Sequence, residues 1–224
     1  MRGSVVGHLM LKDWRLYRAM IFGSILGGAL GLALVARATE ATVMVGTVWF
    51  FICLILVGTM LPLAGIMGER KNHNLAFMMS LPVSGVQYAR AKLASSLGMF
   101  LVPWLCLLAV ALLFVEVRGL FPRGIIPMMM ILLLLPFIGF SVLTAVALLA
   151  ESEGWALAAN VAVQSSYGLT WFFVSRIPGL AAHAKESAPV WNSTALEVLG
   201  VEAAIVVGLL GLTLYLQSLK RDFI

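Results

Sequence analysis

The sequence predicts an all-α, polytopic membrane protein, and three features of its 224 residues carry that expectation. Hydrophobic residues make up 62% of the chain and charged residues only 11%, where soluble domains carry about 25% charged residues. The mean hydropathy is +1.03, so the chain has too few charges to cover a water-facing surface. Apolar runs near the roughly 20 residues that a helix needs to cross hydrocarbon recur along its length, and almost all the charge falls in the breaks between them. The whole chain reads as a single transmembrane domain, residues 1–224.

The first element is an amphipathic helix over residues 1–18. At helical spacing Val6, Met10, Trp14, Tyr17 and Ile21 form one stripe, while His8, Lys12 and Arg15 form another. An apolar, aromatic stripe beside a basic one describes a helix lying in the membrane interface. About six spans follow, near Ala19 to Ala36, Val43 to Met67, Leu93 to Val117, Ile125 to Ala150, Trp155 to Val174 and Leu199 to Gln217. The first has the small-x-small pattern of a cleavage site at Ala36 to Ala38. Its long charged leader and long apolar core instead read as a retained span.

Within the first span, Gly23, Gly27 and Gly31 form a small-residue seam that lets another helix approach closely. Pro62, Pro127 and Pro136 bend or end their helices. The fifth span differs from the rest because Asn160, Gln164 and Tyr167 share one face, with Ser165 and Ser166 adjacent. That face either makes interhelical hydrogen bonds or lines a substrate path. Asn192 opens an Asn-Ser-Thr sequon on an expected outer loop.

Basic residues orient the bundle. Arg2, Lys12, Arg15, Arg18, Arg70, Lys71, Arg90, Lys92, Lys220 and Arg221 lie on one side, against Arg37, Arg118, Arg123, Arg176 and Lys185 on the other. Ten against five puts both termini in the cytoplasm of a multi-pass protein. The net charge of +5 reflects these ends of spans and not a nucleic-acid partner. Cys53 and Cys106 sit inside apolar runs as small hydrophobes. His8, His73 and His183 are scattered, so no metal site is expected. No span carries an ionisable residue near its middle; Glu202, towards the outer end of the last span, comes nearest. Pumps and antiporters usually place such groups at membrane depth, so ion coupling is disfavoured. There is no Gly-rich phosphate loop of the kind that binds ATP, and no constellation for catalysis.

The longest polar stretch, residues 69–92, lies between the second and third spans. Leu75, Met78 and Met79 make a short apolar patch, Pro82 stops that helix, and Ser84 can cap the next. This element is too short to cross a membrane and too apolar to stand alone in water. It needs a partner, either lipid headgroups or another protein.

Here the chain resembles the permease subunits of the type-2 ATP-binding-cassette (ABC) transporter family. Lys12, Asp13, Trp14 and Arg15 match the Lys-Asp and basic-aromatic helix before the first span. Glu69, Leu75, Phe77, Ser80, Leu81, Pro82, Val83, Ser84 and Lys92 match the Glu, short apolar helix, Ser-Leu-Pro-hydrophobic-Ser signature and Lys that follow the second. Asn74 stands where many members have Gly-Thr.

The resemblance implies a cytoplasmic coupling helix built on Glu69, Leu75, Phe77, Met78, Met79, Leu81, Pro82 and Ser84, docked on a separate ABC ATPase. It further implies an exporter in a bacterial plasma (inner) membrane, with a second copy of the chain or a related permease beside it. The ATPase would bind ATP and Mg and hydrolyse the nucleotide, leaving this chain without cofactor or catalytic residue. The competing expectations are a stand-alone secondary transporter or channel, and a non-transporting membrane scaffold.

Overall fold

A computed structural model describes residues 2–68, 85–119, 121–150 and 152–219. No strand occurs among the described residues. Helix α1 (Arg2–Val35) is followed by α2 (Glu40–Pro62), which runs on into a π-helical turn, Leu63–Met67. Next come α3 (Gly85–Arg118), a 3-10 turn at Arg123–Ile125, and α4 (Ile126–Leu149). Then follow α5 (Glu153–Val174), the short α6 (Pro178–Ala181) and α7 (Ser193–Leu219).

Five segments are long and apolar enough to cross a membrane: Met10–Val35, Glu40–Met67, Tyr88–Val117, Arg123–Leu149 and Ser193–Leu219. The expectation of six spans included α5. That helix has 22 residues, but Asn160, Gln164, Ser165, Ser166 and Tyr167 make it less apolar than the others.

Local chemistry sets the helix ends. Thr39 caps α2, its Oγ1 accepting from Thr42 N while Thr42 Oγ1 accepts from Thr39 N. This reciprocal pair satisfies backbone donors that a helix start leaves orphaned. Asn192 serves α7 in the same way, its Oδ1 accepting from Ala195 N at 2.8 Å while Nδ2 donates to Gly179 O. The sequon asparagine is therefore a structural cap with both amide atoms engaged.

The separate interfacial helix expected over residues 1–18 is not a distinct element. α1 continues unbroken from Arg2 to Val35, because Arg18, Ala19 and Met20 are helix formers that offer no break. Its basic side is nonetheless outward, with Lys12, Arg15 and Arg18 exposed. Its inward stripe, Asp13, Ile21, Ser24, Gly28, Gly31 and Val35, is buried against α2 and α3.

α4 packs against α2, α5 and α7. On α3, Phe100 stacks on Phe140 of α4 at 4.5 Å, and Trp104 Nε1 donates to Leu133 O at 2.7 Å. Pro136, three residues further along α4, has no N–H to give the helix ladder, and the carbonyl left without its helical donor is Leu132 O, next to the one that Trp104 reaches.

Two clusters mark the ends of the bundle. One gathers Ile66, Met67, Leu93, Leu148 and Ala156, with Leu210 and Leu214 against it. The other gathers Ile131, Leu132, Val174, Leu180 and Ala195. α5 thus reaches from one end to the other antiparallel to α4, and α7 runs parallel to α4.

Candidate functional site

The most distinctive polar site joins α1 to α3. Lys92 Nζ donates to Asp13 Oδ2 at 2.8 Å, and Ser95 Oγ donates to the same oxygen at 3.3 Å. The other carboxylate oxygen faces Lys12 Nζ at 3.8 Å. The side chains of Lys92 and Asp13 are only 5% and 3% exposed. Removing such a pair from water costs several kcal/mol per ion, so its geometry has to be well satisfied to persist. Helical spacing alone could not link these residues, which are 79 positions apart.

One turn further along α1, the Tyr17 ring lies over Gly65 of the π-helical turn; a Cβ at Gly65 would sit 3.6 Å from the ring. Pro62 just precedes that turn, and π turns are rare features that often occur at functional places. The described chain leaves at Gly68 and returns at Gly85. Glu69, Leu75, Phe77, Met78, Met79, Leu81, Pro82 and Ser84, the residues expected to form the coupling element, lie outside the described residues.

The polar face of α5 is divided between two surroundings. Gln164 Nε2 donates to Thr59 Oγ1 of α2 at 3.0 Å and to Asn160 Oδ1 at 3.4 Å. Tyr167 instead lines an apolar cavity of about 610 Å³ between α2, α4 and α5, and its hydroxyl presses against Gly139 of α4. A smaller cavity of about 220 Å³ shares Val43, Thr47, Phe51, Leu132 and Trp171 with the first. No charged side chain lines either one. Thr59 was not legible as the partner of Gln164, since it sits 105 residues away on another apolar run.

The glycine seam needs a correction. A Cβ at Gly31 would meet Gly46 O of α2 at 2.8 Å, and one at Gly27 would meet Cys53 Sγ at 2.8 Å. Gly23 meets nothing within 4 Å, because the spacing carries it to the exposed side of α1. The close approach instead recruits Gly28, against Leu107 of α3, and Gly46 itself.

Glu202 lies in the first half of α7 and is buried. It is 6% exposed, on the packed face of α7 with Ala195, Val206, Thr213 and Gln217. Its Oε2 has no hydrogen-bond partner among the described residues. Of the helices packed against α7, α4 carries no charged residue at all. The case against ion coupling is weaker than composition implied. No group of three or more His, Cys, Asp or Glu placed to hold a metal occurs among the described residues. No protein-family model, curated protein or solved structure matches this chain. Its helices and these contacts carry the functional reading.

Proposed function

We propose that this chain is the membrane subunit of an ATP-driven exporter whose ATPase is a separate cytoplasmic protein of the ABC class. The observation that carries the reading is the meeting of Asp13 with Lys92. The resemblance to type-2 permeases singles out both residues on sequence alone, on either side of the Ser-Leu-Pro segment. Their burial as a pair, joining α1 to α3, gives the two motif residues a common purpose. A short apolar helix between two spans is suited to docking in a partner's groove, and the partner supplies ATP hydrolysis.

In this reading α5 also crosses the membrane, as the fifth of six spans, and both termini are cytoplasmic. Ala156 at one end of α5 packs with Leu148, and Val174 at the other packs with the Ile131 cluster. At about 1.5 Å per residue, its 22 residues measure about 33 Å, enough for the roughly 30 Å hydrocarbon core. The exposed Gln164 and Ser165 are poor lipid-facing residues; a second copy of the chain, or a related permease, covers them. The chargeless cavity beside Tyr167 favours neutral, apolar cargo.

The test is purification of the tagged chain from native membranes. The exporter reading expects a stoichiometric ATP-binding subunit and Mg-dependent ATP hydrolysis in the preparation; a chain that purifies alone, with no hydrolysis, rejects it. Glu202 favours one competing reading, an ion-coupled transporter acting alone. That reading expects solute uptake driven by an ion gradient, lost on Glu202→Gln, in vesicles containing no other protein.

A further inference from the structure

We propose that the turn of α1 from Asp13 to Tyr17 is a yoke: it grips the helix entering the 69–84 segment and the helix leaving it, so that both move as one with α1. For its role in coupling, this rests on the exporter reading above; as a statement about helix contacts, it does not.

The two grips are chemically different and one helical turn apart. Asp13 holds the start of α3 through Lys92 Nζ at 2.8 Å and Ser95 Oγ at 3.3 Å. Tyr17 abuts the end of α2, its ring 3.6 Å from where a Cβ on buried Gly65 of the π-helical turn would sit. Positions i and i+4 of a helix lie on one face about 5 to 6 Å apart, so a single rigid turn registers both flanks. The buried pair is a poor source of net stability, because desolvation offsets most of its attraction. It is well suited to specificity: a shifted α3 would carry Lys92 Nζ and Ser95 Oγ away from the buried Asp13 carboxylate.

The mechanical consequence follows from the chain path. A push on the segment between Gly68 and Gly85 reaches α2 and α3 directly, and reaches α1 through the yoke. α1 then transmits it along its length, since Gly28 and Gly31, about three and four turns beyond Tyr17, seat it against α3 and α2. Asp13, Tyr17, Lys92 and Ser95 are therefore positioning residues; none of them touches nucleotide.

The test uses spin labels on the full-length chain in lipid vesicles, at Leu11→Cys of α1 and Arg90→Cys of α3, both exposed positions. A cysteine-free background replaces Cys53 and Cys106, the free cysteines present. The unmodified yoke should give a narrow distance distribution. Asp13→Asn should widen it about twofold or more, and exchange of the charges (Asp13→Lys with Lys92→Asp) should narrow it again. Restoration by the exchange separates a specific pair from general loosening. If Asp13→Asn fails to assemble, Ser95→Ala and Tyr17→Ala carry the same measurement without stranding a charge. A distribution as narrow as the parent's in these variants overturns the yoke.

A second arm adds the ATPase and ATP. With the yoke intact, ATP should shift the Leu11 label; with Asp13→Asn the shift should vanish while hydrolysis continues. A full shift with the pair broken overturns transmission through α1. A parent chain that binds no ATPase ends the exporter reading, and the yoke is then decided by the distances alone.

Discussion

Adding one methyl group at Gly31 should pry α1 from α2. A Cβ there would lie 2.8 Å from Gly46 O, 3.0 Å from Phe50 N and 3.3 Å from Phe50 Cα. All three are backbone atoms, so no side chain can rotate away. Ordinary contact begins near 3.4 Å, which requires the helices to part by about 0.6 Å, the difference between 3.4 and 2.8 Å. Parting also stretches the bond from Ser24 Oγ to Cys53 O, now 2.9 Å, worth about 0.6 kcal/mol between membrane helices. Overpacking in a close-fitted core costs about 1–3 kcal/mol. Because this clash is backbone against backbone, Gly31→Ala belongs near the upper end, about 3 kcal/mol. That is roughly a hundredfold in the folded-to-unfolded ratio. The control is Gly23→Ala, where nothing lies within 4 Å and the better helix propensity of Ala should leave stability unchanged or slightly raised. Reversible unfolding in mixed micelles, titrated with a denaturing detergent, measures both. Gly31→Ala matching the parent, or Gly23→Ala proving equally harmful, would refute the reasoning.

Other perturbations read out separate parts of the bundle. Trp104→Phe should cost about 1 kcal/mol in the same unfolding assay, because it deletes the bond to Leu133 O while keeping most of the ring. Asn192→Ala should cost a similar amount, about 1 kcal/mol, by uncapping α7. A double-mutant cycle of Gln164→Ala and Thr59→Val should show coupling of about 0.6 kcal/mol; zero coupling would remove this bond from the packing of α5 on α2. If α5 crosses the membrane, cysteines at Ser152 and Lys185, both exposed, should react with impermeant reagents from opposite sides. Labelling of both from one side would reduce the spans to five.

The apolar runs were legible because each depends on local composition. α2, α3, α4 and α7 all appear where hydropathy places them. That residues 2–18 run into the first span as one unbroken helix was not legible, because the same amphipathicity suits a separate surface helix and a span emerging from a bundle, with Asp13 buried and Arg15 in the open. Three glycines in a four-residue rhythm looked like one seam. The packed stripe of α1 instead takes Gly28 and Gly31 and leaves Gly23 outside. That choice depends on where α2 and α3 sit, which no window of sequence contains. The links from Asp13 to Lys92 and from Thr59 to Gln164 were illegible for the same reason. Each residue stands out locally, but its partner is set by the packing of distant helices.

In the exporter reading, the segment between α2 and α3 docks the ATPase. The most direct measurement is co-purification of ATP-hydrolysing activity with the tagged chain from native membranes, for the parent and for Leu75→Asp with Met78→Asp. Leu75 and Met78 are three positions apart on one expected helical face, and an unpaired charge buried at an interface costs several kcal/mol. The account predicts that the parent retains the ATPase, while the double variant inserts normally and loses it. A double variant that retains the ATPase at the parent's level would contradict it.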